Sequence, residues 1–121
     1  MYNDLLGVRY KPHGRSKEEG FDCYGLVIEV LKRNGITLPD LYYESIRVDN
    51  EFVADFDSHT EKIEKPETNC LVEITSYGVP GHIGVYIGEG MMIHTTIKTN
   101  VVIEPLRHYK HKIRGFYRVK N

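Results

Sequence analysis

Three side chains in this sequence could together do covalent chemistry: Cys23, His82 and His94. A thiol, once ionised, attacks carbonyl carbon. One imidazole can take the thiol proton and return it to a leaving group, while a second holds the first in a single tautomer. Cys23 stands in Gly20-Phe21-Asp22-Cys23-Tyr24-Gly25-Leu26-Val27, and both histidines stand in the run Gly81–His94. The question is whether folding can bring them together.

The elements that would do so are readable. Asp22 is an N-cap type. Cys23, Leu26, Val27, Val30 and Leu31 form the apolar stripe of an amphipathic helix, and Asn34-Gly35 is a stop signal. This predicts a helix over 22–34 with Cys23 in its first turn. Unpaired N–H groups and the positive end of the helix dipole favour a thiolate there. With a cationic His82 beside it, Cys23 is expected to have a low pKa.

Past residue 69 the period changes from helical to two. Runs at 70–76, 83–88, 91–95, 101–104 and 113–119 are separated by turn residues. They predict an antiparallel meander of about five strands, and a helix followed by such a sheet is an α+β domain. If residues 87–89 form the hairpin loop, Tyr86 pairs with Gly90, Gly84 with Met92 and His82 with His94. The histidines are then cross-strand neighbours, with Cβ atoms roughly 4.5–5.5 Å apart. A two-residue loop would put them on opposite faces. Ile83, Val85, Ile87 and Ile93 fill the other face, and Gly84 leaves a gap on the histidine face in which the helix is expected to dock.

Elsewhere the chain is less informative. Tyr10 precedes a turn-rich loop at Lys11–Gly14, where His13 reads as solvated. Residues 36–43 read as an irregular packed segment and 50–58 as a short helix. The charged stretch 59–69 reads as a loop, with no role for His59. With 121 residues and a net charge of −1, the chain reads as one domain, 1–121, with nothing to favour nucleic acid or an anionic membrane. No apolar run reaches membrane-spanning length, and no basic-then-apolar leader opens the sequence, so synthesis in a reducing compartment with both cysteines as thiols is expected.

Other readings of the three residues stay open at this level. Cys23 could be inert core, and each histidine could be an ordinary strand residue. One Cys and two His could also ligate zinc, but Cys70 is the only other thiol and lacks paired-ligand spacing.

The two motifs also carry a resemblance. Gly20–Val27 is similar to the nucleophile motif of the NlpC family of papain-like bacterial cell-wall cysteine peptidases. Gly81–Gly88 is similar to its histidine motif, and His94 falls where its third catalytic residue lies. Tyr10 and Gly14 resemble the family's upstream Tyr and Gly-rich loop, so the likeness spans 7–95. It implies a papain-like fold and cleavage of peptidoglycan stem peptides, typically at the D-γ-glutamyl to diamino-acid bond, with no metal or other cofactor. Cys23 would be nucleophile, His82 base and His94 orienter. Tyr10 would line the substrate groove, Asp22 would bind the substrate's amino group and cap the helix, and Tyr24 would reshape the groove.

Tyr24 stands where most members have Ser. With Gly35-Ile36-Thr37-Leu38-Pro39-Asp40 it resembles a branch found in tail assembly proteins of phages and prophages. That branch implies partners among tail proteins and a virion-borne enzyme acting on the wall. It also implies an alternative, a structural tail component with weak or no hydrolase activity.

Overall fold

The computed structural model describes residues 1–40, 56–76 and 79–120. Its elements run β1 (Arg15–Ser16), β2 (Gly20–Phe21), α1 (Cys23–Arg33), β3 (Thr60–Ile63), β4 (Leu71–Ser76), β5 (Val79–Gly88), β6 (Met91–Thr96), β7 (Asn100–Pro105), a 3-10 turn at Leu106–Tyr109, and β8 (Ile113–Val119). The expected α+β architecture is present.

Helix α1 forms for the reasons legible in its sequence. The Asp22 carboxylate accepts from the Gly25 N–H at 2.7 Å, and Lys32 and Arg33 stand in the last turn, where cations suit the dipole. The helix closes in a Schellman arrangement: Ile36 N–H donates to Leu31 O at 2.9 Å, Gly35 N–H donates to Lys32 O at 3.1 Å, and Gly35 has φ of 76°. Leu26, Val27, Val30 and Leu31 are buried against the sheet.

The main sheet is antiparallel and has six strands in the order β3-β8-β4-β5-β6-β7. The extra strand, β3, lies in the charged stretch expected to be a loop. It is an edge strand paired only with β8, and Glu61 opposite Arg118 makes a 2.8 Å ion pair across the two strands. Charge on a one-sided edge hides the alternation that marks an inner strand. Of the helix expected over 50–58, residues 56–59 are helical; 50–55 lie outside the described residues.

The two faces of the sheet are covered differently. Leu71, Ile83, Val85, Ile93 and Val101 pack with α1 and with Leu5, Phe21 and Leu38. The opposite face carries a smaller cluster of Val72, Ile74 and Met92, closed over by Leu106, Tyr109 and Phe116. The helix therefore docks on the isoleucine face and not, as the sequence suggested, on the histidine face.

Candidate active site

The histidine pair is assembled by the β5–β6 hairpin, in a register different from the expected one. Val85 pairs with Ile93, Tyr86 with Met92 and Gly88 with Met91, with a bulge between Tyr86 and Gly88. Glu89 and Gly90 form the two-residue turn, with φ of 54° and 77°. Such a turn alone would send the two rings to opposite faces. The bulge inserts one residue and restores the parity. His82 and His94 thus share a face as diagonal neighbours, because the continued register sets His94 against Gly84.

Gly84 is what lets His94 in. A Cβ there would lie 2.8 Å from Met92 Sδ and 3.0 Å from His94 Cβ. The space that the sequence seemed to reserve for the helix belongs to these two side chains.

His82 Nε2 lies 2.8 Å from His94 Nδ1, and the rings meet edge-on at 5.1 Å between centroids. His94 is fully buried. Its other nitrogen, Nε2, faces Glu104 Oε1 at 3.2 Å and the Tyr109 hydroxyl at 3.5 Å. Tyr109 in turn donates to Glu104 at 3.3 Å and 3.2 Å, one contact to each carboxylate oxygen. Glu104 and Tyr109 did not emerge from the sequence. Glu104 was reachable, however: in the β6–β7 hairpin it opposes Met92, two residues from His94 on the same face.

Cys23 opens α1, half-buried, and α1 packs on β5, the strand that carries His82. Burial and then the Asp22 charge push its pKa up to about 11, against the opposing pull of amides at Ile83 and Tyr24. Loss of water and a neighbouring carboxylate thus oppose the acidified thiol that the helix end led one to expect. His82 moves the other way, down to about 3, through burial and then its His94 neighbour. Burial also lowers His94, partly offset by Glu104. Burial thus favours the neutral forms of the thiol and of both imidazoles.

The remaining expected site residues are placed as follows. Asp22 caps the helix, and its carboxylate also takes Arg15 Nη1 at 2.8 Å and the His13 backbone N–H at 3.2 Å. Gly25 permits this closeness, since a Cβ there would lie 2.1 Å from Gly14 O. Tyr10 is held beside this segment by a backbone bridge to Phe21 and by its N–H on Asn100 Oδ1 at 3.0 Å. Tyr24, expected to reshape the groove and so affect substrate binding, is fully buried, with its hydroxyl donating to Pro39 O at 2.6 Å.

Cys70 is a buried free thiol at the start of β4, and its pKa is raised by burial. Among the described residues no group of three or more His, Cys, Asp or Glu side chains is arranged to hold a metal ion.

Known proteins share both sequence and fold with this chain. It is 32% identical over 101 residues to the gamma-DL-glutamyl hydrolase of Bacillus subtilis (strain 168), an alignment covering 83% of this chain and 23% of that protein. To the murein DD-endopeptidase MepS/murein LD-carboxypeptidase of Escherichia coli (strain K12) it is 27% identical over 107 residues, covering 88% and 52%. The chain thus spans under a quarter of one curated relative and about half of the other. A crystal structure of an NLP/P60-family protein from Staphylococcus aureus shares the fold, with a TM-score of 0.70 at 22% identity over 97% of this chain and 38% of that one. The NlpC/P60 family matches residues 7–118, nearly the whole sequence, and the chain with its papain-like α+β fold belongs to that family.

Proposed function

We propose that this protein is a cysteine endopeptidase that hydrolyses peptidoglycan stem peptides at the D-γ-glutamyl to diamino-acid bond. One observation carries the reading: α1, which Cys23 opens, packs on β5, the strand of His82, whose ring lies 2.8 Å from His94. The two curated relatives, a gamma-DL-glutamyl hydrolase and a murein endopeptidase, support it by name.

The chemistry starts from neutral groups. Cys23 Sγ bonds to the carbonyl carbon as its proton passes to His82, so His82 acts as a general base at the moment of attack. First-turn amides of α1 are the natural donors to the oxyanion. Collapse breaks the C–N bond, and His82 gives its proton to the departing amine. Water then attacks the thioester, again losing a proton to His82, and the thiol is restored as the acid leaves. His94 keeps the His82 ring in place throughout. Tyr10 lines the groove, and Asp22 takes part in holding the substrate's amino group beside its capping role.

The setting proposed is a phage or prophage tail that delivers the enzyme to the wall. The two sequence features behind it, Cys23–Leu26 and Gly35–Asp40, are joined physically by the Tyr24–Pro39 hydrogen bond. The rival is a structural tail component that keeps the fold without the activity.

Two measurements test this. Purified peptidoglycan incubated with wild type should release cleaved stem peptides, and with Cys23→Ala should not; equal release by both refutes the peptidase. A phage carrying Cys23→Ala should assemble normal tails that do not infect. Undiminished infectivity favours the structural rival.

A further inference from the structure

We infer that Glu104, braced by Tyr109, sets the direction of the His82–His94 hydrogen bond and so selects the tautomer in which His82 can act as a base. The inference rests on the peptidase reading and adds to it two positioning residues that do not touch substrate.

The need for such a device follows from using a histidine as orienter. Where a carboxylate orients the base, the bond has one possible direction, because a carboxylate only accepts. A bond between two neutral imidazoles can run either way. In one direction His82 Nε2–H donates to His94 Nδ1, which leaves the His82 Nδ1 lone pair free to take a thiol proton. In the other, His94 Nδ1–H donates to His82 Nε2. The His82 proton then sits on Nδ1, and the ring cannot accept from sulfur. Both arrangements have the same 2.8 Å N···N contact between chemically alike groups, so the pair itself barely chooses.

Glu104 makes the choice. Its Oε1 lies 3.2 Å from His94 Nε2. An accepting oxygen there draws the His94 proton onto Nε2, which makes Nδ1 the acceptor and fixes His82 as donor from Nε2. Tyr109 holds the carboxylate at this station, its hydroxyl within 3.3 Å of both oxygens and its ring edge-on to His94 at 5.3 Å between centroids. When His82 takes the thiol proton, the new cation donates from Nε2 to His94 Nδ1, and His94 donates in turn from Nε2 to the carboxylate. No proton needs to reach Glu104.

The test reads tautomers directly. In the 15N-labelled full chain, long-range 1H–15N correlation should show both His82 and His94 protonated on Nε2. Glu104→Met should mix the tautomers and let His82 Nδ1–H appear. On a stem peptide it should lower kcat in proportion to the His82 fraction left in the wrong tautomer, roughly two- to tenfold, with KM unchanged. Glu104→Gln, whose amide oxygen still accepts, should recover part of both, and Tyr109→Phe should have the smallest effect. If Glu104→Met does not fold, the wild-type spectrum decides alone, since the inference requires His94 to carry its proton on Nε2. A wild-type His94 protonated on Nδ1, or tautomers unmoved by losing the carboxylate, overturns the inference even if hydrolysis is normal. The stated tautomers in a wild type that releases no stem peptide leave it standing and sink the peptidase reading instead.

Discussion

Neighbouring residues on the same strands serve opposite ends in this molecule. Ile83 and Ile93 are buried against α1, and one position away His82 and His94 form a polar line with Glu104 on the other face. The alternation of a β-strand makes this division. The apolar face binds sheet to helix and stabilises the fold. The histidine face has a smaller core around Val72, Ile74 and Met92 and buries His94 beside it. Stability and chemistry are therefore separable here by single-residue steps along one hairpin.

The largest contrast comes from truncating each face in turn. His82→Ala should lower kcat/KM for stem peptides by on the order of 10³-fold or more, with the melting temperature little changed, since it removes the proposed base and little core. Ile93→Ala should do the reverse. Deleting that fully buried side chain should cost about 2–5 kcal/mol in denaturant titration, with kcat retained in the folded fraction. Equal losses of stability from the two variants would dissolve the distinction between the faces.

Gly84 tests the boundary. It lies on the histidine face, yet its effect is steric. Gly84→Ala puts a Cβ 2.8 Å from Met92 Sδ and 3.0 Å from His94 Cβ, so both must move. Overpacking of this kind costs about 1–3 kcal/mol. Here it should also lower kcat, because His94 is displaced from His82. Met92→Ala removes a fully buried side chain and should itself cost about 2–5 kcal/mol, but in its background Gly84→Ala should cost less stability than in wild type while still lowering activity. Relief of both losses together would show that His94 never moved.

How the sequence relates to these faces is itself instructive. Helix α1 was legible to within its caps because each signal in it agrees: Asp22, the apolar stripe, Asn34-Gly35. The shared face of the two histidines was legible too, but the counting that found it assumed a three-residue loop. The real hairpin reaches the same parity by a two-residue turn plus a bulge, and a bulge leaves no mark in a hydrophobic pattern. The thiol's acidity was read from the helix end because sequence does not show burial, which acts the other way. Glu104 was passed over as a plain strand residue, although the β6–β7 pairing sets it beside His94's face. Edge strand β3 was hidden by its own charges.

Acid should distinguish the faces next. His82 and His94 are held neutral by burial, with pKa values below the usual 6.5. Below pH 6.5 the unfolded chain binds protons that the folded one refuses. Stability is therefore full above that pH and falls as the pH drops toward 3. At the other end, the raised Cys23 pKa costs stability as pH climbs from 9 toward 11, where only the unfolded chain releases its proton. Melting temperature against pH should show both limbs. His82→Gln should flatten the acid one, whereas Ile93→Val should lower the whole curve without changing its shape. An acid limb identical in His82→Gln and wild type would mean that other groups cause it.

The smallest expected effect concerns Tyr24, which lies on the helix side but sits next to the nucleophile in sequence. Its ring is fully buried and its hydroxyl donates to Pro39 O. Tyr24→Phe keeps the ring and removes one hydrogen bond, leaving a carbonyl to find another partner. The cost should be about 1 kcal/mol. If Tyr24 supports the groove from behind, kcat and KM for a stem peptide should both stay within twofold of wild type, a change under about 0.4 kcal/mol. A rise in KM well beyond that, with stability unchanged, would mean that the hydroxyl turns toward substrate when the groove is filled. The Tyr that distinguishes this motif would then act on specificity directly, and the division of labour between the two faces would have to admit a residue that serves both.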